Sequence, residues 1–309
     1  MEELFINGFG RLRSGWRFLV FAFFFFFFYS VFGVAAVFVL GAVGYGLDER
    51  SILFVIIEKT IGLVLATCLG WLCGKLFESV SFKALGWTLN LKAGWDFALG
   101  LLLGTAAILI ACGIPAATGG INFQVNIDAG YTPIVLTCLV SFVIFFLAAA
   151  GEEALFRGYA LQTFTRAKLA WLGILLTSLP FAIAHLGNPN ATAFSSLNTF
   201  LAGIWLGTAY LKTRTLWFPF GLHLAWNWVQ GAFLGIPVSG MTHLATAPLL
   251  RSSESGPQWL TGGSYGIEGG AACTVALVVC TAAAWLLPIL KAESEMMAFT
   301  SQEIPVQKS

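Results

Sequence analysis

Apolar runs of about twenty residues recur along this chain of 309 residues, and no other feature restricts its fold so severely. A helix needs roughly 20 apolar residues to cross the ~30 Å hydrocarbon core of a bilayer, where every backbone polar group must find its partner within the protein. Windows of that kind lie at about 18–43, 51–73, 97–118, 133–156, 170–186, 194–211, 217–235 and 271–290, the fifth and sixth being short. The first contains FLVFAFFFFFFYSVFGVAAVFVLGAV, which is longer than a signal-peptide core and lacks an A-x-A cleavage site, so it is expected to remain as a first span. With 58% hydrophobic and 10% charged residues, the composition excludes an ordinary soluble domain. The expected fold is all-α: a polytopic transmembrane helical bundle of about eight spans.

The distribution of basic residues tests that division. With the N-terminus inside, alternate connections carry Arg11, Arg13, Arg17, Lys75, Lys83, Lys92, Arg157, Arg166, Lys168, Lys212, Arg214, Lys291 and Lys308 on one side, against Arg50 and Arg251 on the other. Positive charge is retained on the cytoplasmic side of membranes, so both termini are expected to be cytoplasmic. Lys59, within the second window beside Glu58, reads as half of a local ion pair. A net charge of +1 gives no sign of a nucleic-acid partner. The six cysteines lack CxxC or Cys/His metal spacing and read as buried thiols. Two GxxxG patterns, GLLLG (Gly100 to Gly104) and GIWLG (Gly203 to Gly207), read as close helix packing. The charged and apolar mixture from Lys75 to Trp95 is expected at the cytoplasmic interface. No repeat, inverted half or separate soluble segment is present, so residues 1–309 read as a single membrane domain.

Against this background, ionisable residues within the apolar runs stand out, because polar groups at that depth are expensive and mark function by default. GEEALFRGY follows PIVLTCLVSFVIFFLAAA directly, and His185 and His223 both fall in predicted spans. Residues four apart share a helix face. Glu153 and Arg157 therefore form a pair with the acid on the favourable N-terminal side, while Glu152 is rotated about 100° away and has no partner in its own helix. His223 and Asn227 project together, and Phe181 stands where it can pack beneath the His185 imidazole. The apolar face of ALFRGYALQTF extends the fourth helix to about Thr165, which brings Glu152, His185 and His223 to similar depths. For a single histidine the competing reading is a hydrogen-bonded packing residue.

The chemistry follows from the residue types. A desolvated carboxylate makes a general base that works near neutrality, a nearby His can hold the water it deprotonates, and a His and Asn aimed at one point can donate to a developing oxyanion. No G-x-S-x-G or H-E-x-x-H is present. A zinc site built from Glu152, Glu153, His185 and His223 is the alternative, since carboxylates and imidazoles suit that ion; otherwise no cofactor is expected.

At these residues the sequence resembles the CPBP family, named for CAAX proteases and bacteriocin-processing enzymes, whose members are intramembrane glutamate endopeptidases. The family signature of EExxxR, FxxxH and HxxxN/D stands here as EEALFR (Glu152, Glu153, Arg157), FAIAH (Phe181, His185) and HLAWN (His223, Asn227), in that order. The motifs lie within 152–227. With LGW before the third window and LTGGSYGIEGG before the last, the resemblance extends over a catalytic core of about 80–290. It implies that Glu152 activates water with help from His185, that His223 and Asn227 form the oxyanion site, and that Glu153 with Arg157 supports them. The implied substrate is a membrane-associated peptide or protein, hydrolysed in the cell membrane of a bacterium by a multi-pass protease. Two readings of other classes remain: a proton-coupled transporter using the same buried groups, and a non-catalytic immunity or scaffold protein of the same fold. His243 matches no motif and reads as a solvated loop residue.

Overall fold

The computed structural model describes residues 2–44, 51–301 and 303. Arg50 and Lys308, both used in the count of basic residues, lie outside the described residues. Each of the eight apolar windows holds a helix: α1 (Ser14–Ala42), α2 (Ile52–Glu78), α3 (Leu91–Ala117), α4 (Tyr131–Glu153) continuing into α5 (Ala160–Arg166), α6 (Ala170–Ala184), α7 (Ala193–Thr213), α8 (Trp217–Trp228) and α9 (Ala271–Leu286). Four stretches are long and apolar enough to cross a membrane: α1, α2, α3, and the 36 residues from Tyr131 to Arg166. The remaining four helices are shorter or more polar. The chain is therefore an all-α, multi-pass membrane bundle.

Burial separates lipid-facing helices from central ones. In α1 the phenylalanine run exposes Phe23, Phe24, Phe26 and Phe27 and turns only Arg17, Phe21 and Phe25 inward with Ser14. By contrast, every residue of α8 from Phe218 to Trp226 is buried. A helix shielded all round lies in the bundle centre, and that position holds His223. Local signals agree with these bounds: Ser51 Oγ accepts from Phe54 N at 3.2 Å, Asn90 Oδ1 from Ala93 N at 2.8 Å, and Thr192 with Ser195 closes a capping box at the start of α7.

The GxxxG glycines explain how the centre packs. A Cβ on Gly100 would come within 2.5 Å of Phe218 O, and one on Gly104 within 2.4 Å of Leu222 O. Such approaches are forbidden to any side chain, so α3 lies backbone to backbone on α8. Gly203 likewise meets Ser178 of α6, where a Cβ would stand 2.7 Å from Ser178 Cβ.

Two features differ from the purely helical expectation or extend it. A two-stranded antiparallel sheet joins β1 (Ile121–Val125) to β2 (Leu250–Glu254). It forms because the connection after α8 folds back over the end of α3 instead of projecting away. At the opposite end, charges counted as loop residues are buried. Glu78 of α2 accepts both Nε and Nη2 of Arg166 at 2.9 Å and also pairs with Arg17 of α1, whose Nη2 lies 2.7 Å from Glu303 Oε1. Between α2 and α3 the expected interfacial segment is a connection in which Trp87 docks on Trp217, their centroids 5.1 Å apart, while Leu89 and Leu91 are exposed.

Candidate active site

The helix that carries EEALFR does not run through it as regular α-helix. After Glu153 the backbone widens into a π-helical turn, Ala154–Tyr159, before α5 resumes, and helical structure continues to Arg166 as the apolar face of ALFRGYALQTF leads one to expect. Single π turns inside α-helices recur at functional sites because the extra residue re-aims side chains. Here the two adjacent glutamates diverge. Glu152 lines an internal cavity, whereas Glu153 is wholly buried against its own helix and α8.

Glu153 is the hub of the buried charges. Its Oε1 accepts from Arg157 Nη1 at 3.1 Å, the pair expected from their spacing, and also lies 2.8 Å from His223 Nδ1. Arg157 Nη2 donates to Gly203 O at 3.2 Å, and the guanidinium lies over the Phe181 ring, 4.7 Å from its centroid. An ion pair at this depth needs such extra partners to offset desolvation.

With Nδ1 held by Glu153, the other nitrogen of His223 faces Glu152: Nε2 lies 3.7 Å from Glu152 Oε2. No protein group among the described residues donates to that oxygen. Asn227 follows one turn along the same helix and lines the same cavity. His185 reaches it from the end of α6, just past Pro180, where its Nδ1 lies 2.8 Å from Phe181 O. A carbonyl can only accept, so Nδ1 carries a proton, and Nε2 is the ring nitrogen that the Phe181 carbonyl leaves free. Phe181 orients both imidazoles, with ring centroids 4.8 Å from His185 and 6.1 Å from His223.

Of the six residues singled out in the sequence, Glu152, His185, His223 and Asn227 thus line one cavity of about 90 Å³, and Glu153 and Arg157 stand behind it. That volume holds several waters. The contact between His223 and Glu153 was not legible, because spacing reports neighbours within one helix and not across two. Also missed were two charged residues of the cavity lining. Lys59 forms the expected pair with Glu58 at 3.1 Å, yet it also lines the cavity. Glu268 enters from GIEGG; an acid among glycines directly before an apolar run was the signal for it. His243 is a half-buried loop residue outside the lining. All six cysteines are unpaired; Cys73, Cys112 and Cys273 are buried, and Cys68 is exposed. Among the described residues no three His, Cys, Asp or Glu side chains converge as a metal-binding group.

Comparison with known proteins adds two findings. Residues 134–229 match the Rce1-like family model, described as type II CAAX prenyl endopeptidase Rce1-like. Over 100 residues, 31% of this chain, the sequence is 37% identical to an Escherichia coli protein described as "Uncharacterized 24.3 kDa protein". The match spans 43% of that relative's length, less than half of it. The segment that carries all three motifs is therefore Rce1-like, and the resemblance to the CPBP family drawn from EExxxR, FxxxH and HxxxN is borne out over it.

Proposed function

We propose that the chain is an intramembrane endopeptidase that hydrolyses a peptide bond of a membrane-associated protein or peptide with a water activated by Glu152. The observation that carries this reading is the meeting of Glu152, His185, His223 and Asn227, from three separate helical segments, around one cavity.

Each group has a part that its surroundings allow. Water lodged between Glu152 and the lone pair of His185 Nε2 gives up a proton to the carboxylate, and its oxygen attacks the peptide carbonyl carbon. The carbonyl oxygen becomes an oxyanion, received by the Asn227 amide and by His223 Nε2–H. For His223 to donate there while Nδ1–H bonds Glu153, the ring must be charged. Glu152, Glu153, Arg157 and imidazolium then sum to zero, which a low-dielectric interior favours. Collapse of the tetrahedral species breaks the C–N bond, and the proton held by Glu152 passes to the leaving amine. No covalent enzyme intermediate and no metal are needed.

The test uses purified protein in lipid nanodiscs with a fluorogenic membrane peptide. Glu152→Gln and His185→Ala are expected to lower kcat by about 10²–10⁴-fold or more with an unchanged thermal midpoint, the range for loss of a general base. Full cleavage by Glu152→Gln would reject the mechanism. Incubation with 1,10-phenanthroline is expected to leave the rate unchanged; a loss restored by added zinc would overturn the metal-free reading.

A further inference from the structure

The mechanism leaves one acid of the cavity lining unused. Glu268 lines the same cavity as Glu152, and it comes from the connection between α8 and α9 instead of the motif helices. Its Oε2 takes three donors: the backbone N–H of Ser239, the Ser239 hydroxyl at 3.0 Å, and Gln230 Nε2 at 3.3 Å. Its Oε1 has none. No cation pairs with it among the described residues. Burial raises the Glu268 carboxyl above its ordinary range, with the Ser239 donors, the His185 imidazole and Gln230 acting in the opposite direction.

The surrounding loop is built to hold that side chain still. Asn198 Nδ2 donates to Glu268 O at 2.8 Å and Gly270 O at 2.9 Å, while its Oδ1 accepts from Thr274 Oγ1 at 2.6 Å. Gly262 and Gly266 adopt φ of +91° and +93°, which favour glycine, and a Cβ on Gly266 would collide with Pro237 O at 2.0 Å. One carboxylate oxygen is thus anchored by a rigid, hydrogen-bonded frame and the other is left facing the cavity.

Charge gives the frame a purpose. With Glu152, Glu153, Arg157 and the His223 imidazolium summing to zero and Lys59 paired with Glu58, Glu268 is the acid of the lining that no charged partner balances when His185 is neutral. The cavity therefore carries an excess of negative charge, and a buried carboxylate without a cation is stabilised strongly by one that arrives with a ligand. We infer that Glu268 is the counter-ion of a subsite for a basic side chain, lysine or arginine, of the peptide that enters this cavity. The inference rests on the endopeptidase reading for the occupant and on geometry for the charge it selects.

Its test compares otherwise identical hydrophobic peptides bearing lysine, arginine, norleucine or citrulline at one central position, presented to the protein in nanodiscs. Binding is read by fluorescence anisotropy and cleavage by mass spectrometry. The lysine and arginine peptides are expected to bind about tenfold or more tightly than the norleucine and citrulline ones. In Glu268→Gln that preference is expected to vanish while affinity for the neutral peptides stays within about twofold, because the glutamine Oε1 still accepts from Ser239. Equal binding of all four peptides by the wild type, or an equal loss for all four in Glu268→Gln, would overturn the proposal. The two readings fail separately: a lysine preference in binding with no cleavage of any peptide rejects the endopeptidase and keeps the subsite. Cleavage without a charge preference does the reverse.

Discussion

Arg157 and His223 both meet Glu153 Oε1, which is wholly buried, and Glu152 Oε2 lies 3.7 Å beyond His223 Nε2. Removing one partner from a buried ion pair leaves the other uncompensated, at about 3–5 kcal/mol. Arg157→Met is therefore expected to lower stability by about that amount, read as a shift in the thermal midpoint in nanodiscs. Arg157→Lys should restore little, because an ammonium lacks the planar fork that bonds Glu153 and Gly203 O together. Asn227→Ala leaves these contacts intact and is expected to act on the rate alone. Loss of one oxyanion donor lowers kcat by about 10²–10³-fold, with KM little changed; an unchanged kcat would remove Asn227 from the oxyanion site. At this scale the sequence allowed the Glu153–Arg157 pair to be read directly, since both lie on one helix face. The His223–Glu153 contact joins residues 70 positions apart, and no periodicity encodes it.

The elements were legible wherever hydropathy alone decides them. Eight apolar windows became eight helices because a lipid-facing backbone has few alternatives to helix. The π turn was not legible: ALFRGY has an ordinary apolar pattern, and its widening follows from the positions that Glu153 and Arg157 take against α8 and α7. The β1–β2 pair escaped for a similar reason, as its strands are separated by more than a hundred residues and pair only once the connection between α8 and α9 has folded. The glycines, in contrast, mean at the element scale what their spacing implied. Gly104 abuts the Leu222 backbone, one residue before His223. Gly104→Leu must push α3 and α8 apart, so it is expected to destabilise by about 1–3 kcal/mol, as overpacking does. It should also lower activity by moving His223 and Asn227 away from Glu152. The same substitution at Gly94, which has open space around it, should leave both unchanged. Because leucine favours helix more than glycine does, an equal loss at the two positions would show that the contact with the Leu222 backbone is not responsible.

Across the whole molecule, the site at one depth is tied to both ends of the chain at another. Glu78, the last residue of α2, is the carboxylate that holds both Arg17 of the lipid-facing first helix and Arg166 of the helix that follows the π turn. All three side chains are almost fully buried. Arg166 also contacts Gln162 Oε1 at 3.5 Å, and Gln162 Nε2 donates to Leu85 O at 2.7 Å, so the network reaches the connection before α3. Glu78→Gln would leave two guanidiniums sharing one neutral acceptor. Arg17 retains Glu303, Thr163 and the Leu12 carbonyl, whereas among the described residues Arg166 retains Gln162 alone as a hydrogen-bond partner. The larger loss should therefore fall on α5 rather than α1. The expected destabilisation is about 3–5 kcal/mol, read from denaturation in nanodiscs. Adding Arg166→Met to Glu78→Gln should recover part of it, because the stranded charge goes with it. Adding Arg17→Met should recover less. A pair of double-mutant cycles measures both couplings, and a stronger coupling to Arg17 than to Arg166 would show that the cluster serves to hold the first helix and not the helix behind Glu152. If α5 is the element held, Glu78→Gln also lowers cleavage at temperatures well below its midpoint, since the π turn that aims Glu152 at the cavity runs directly into α5.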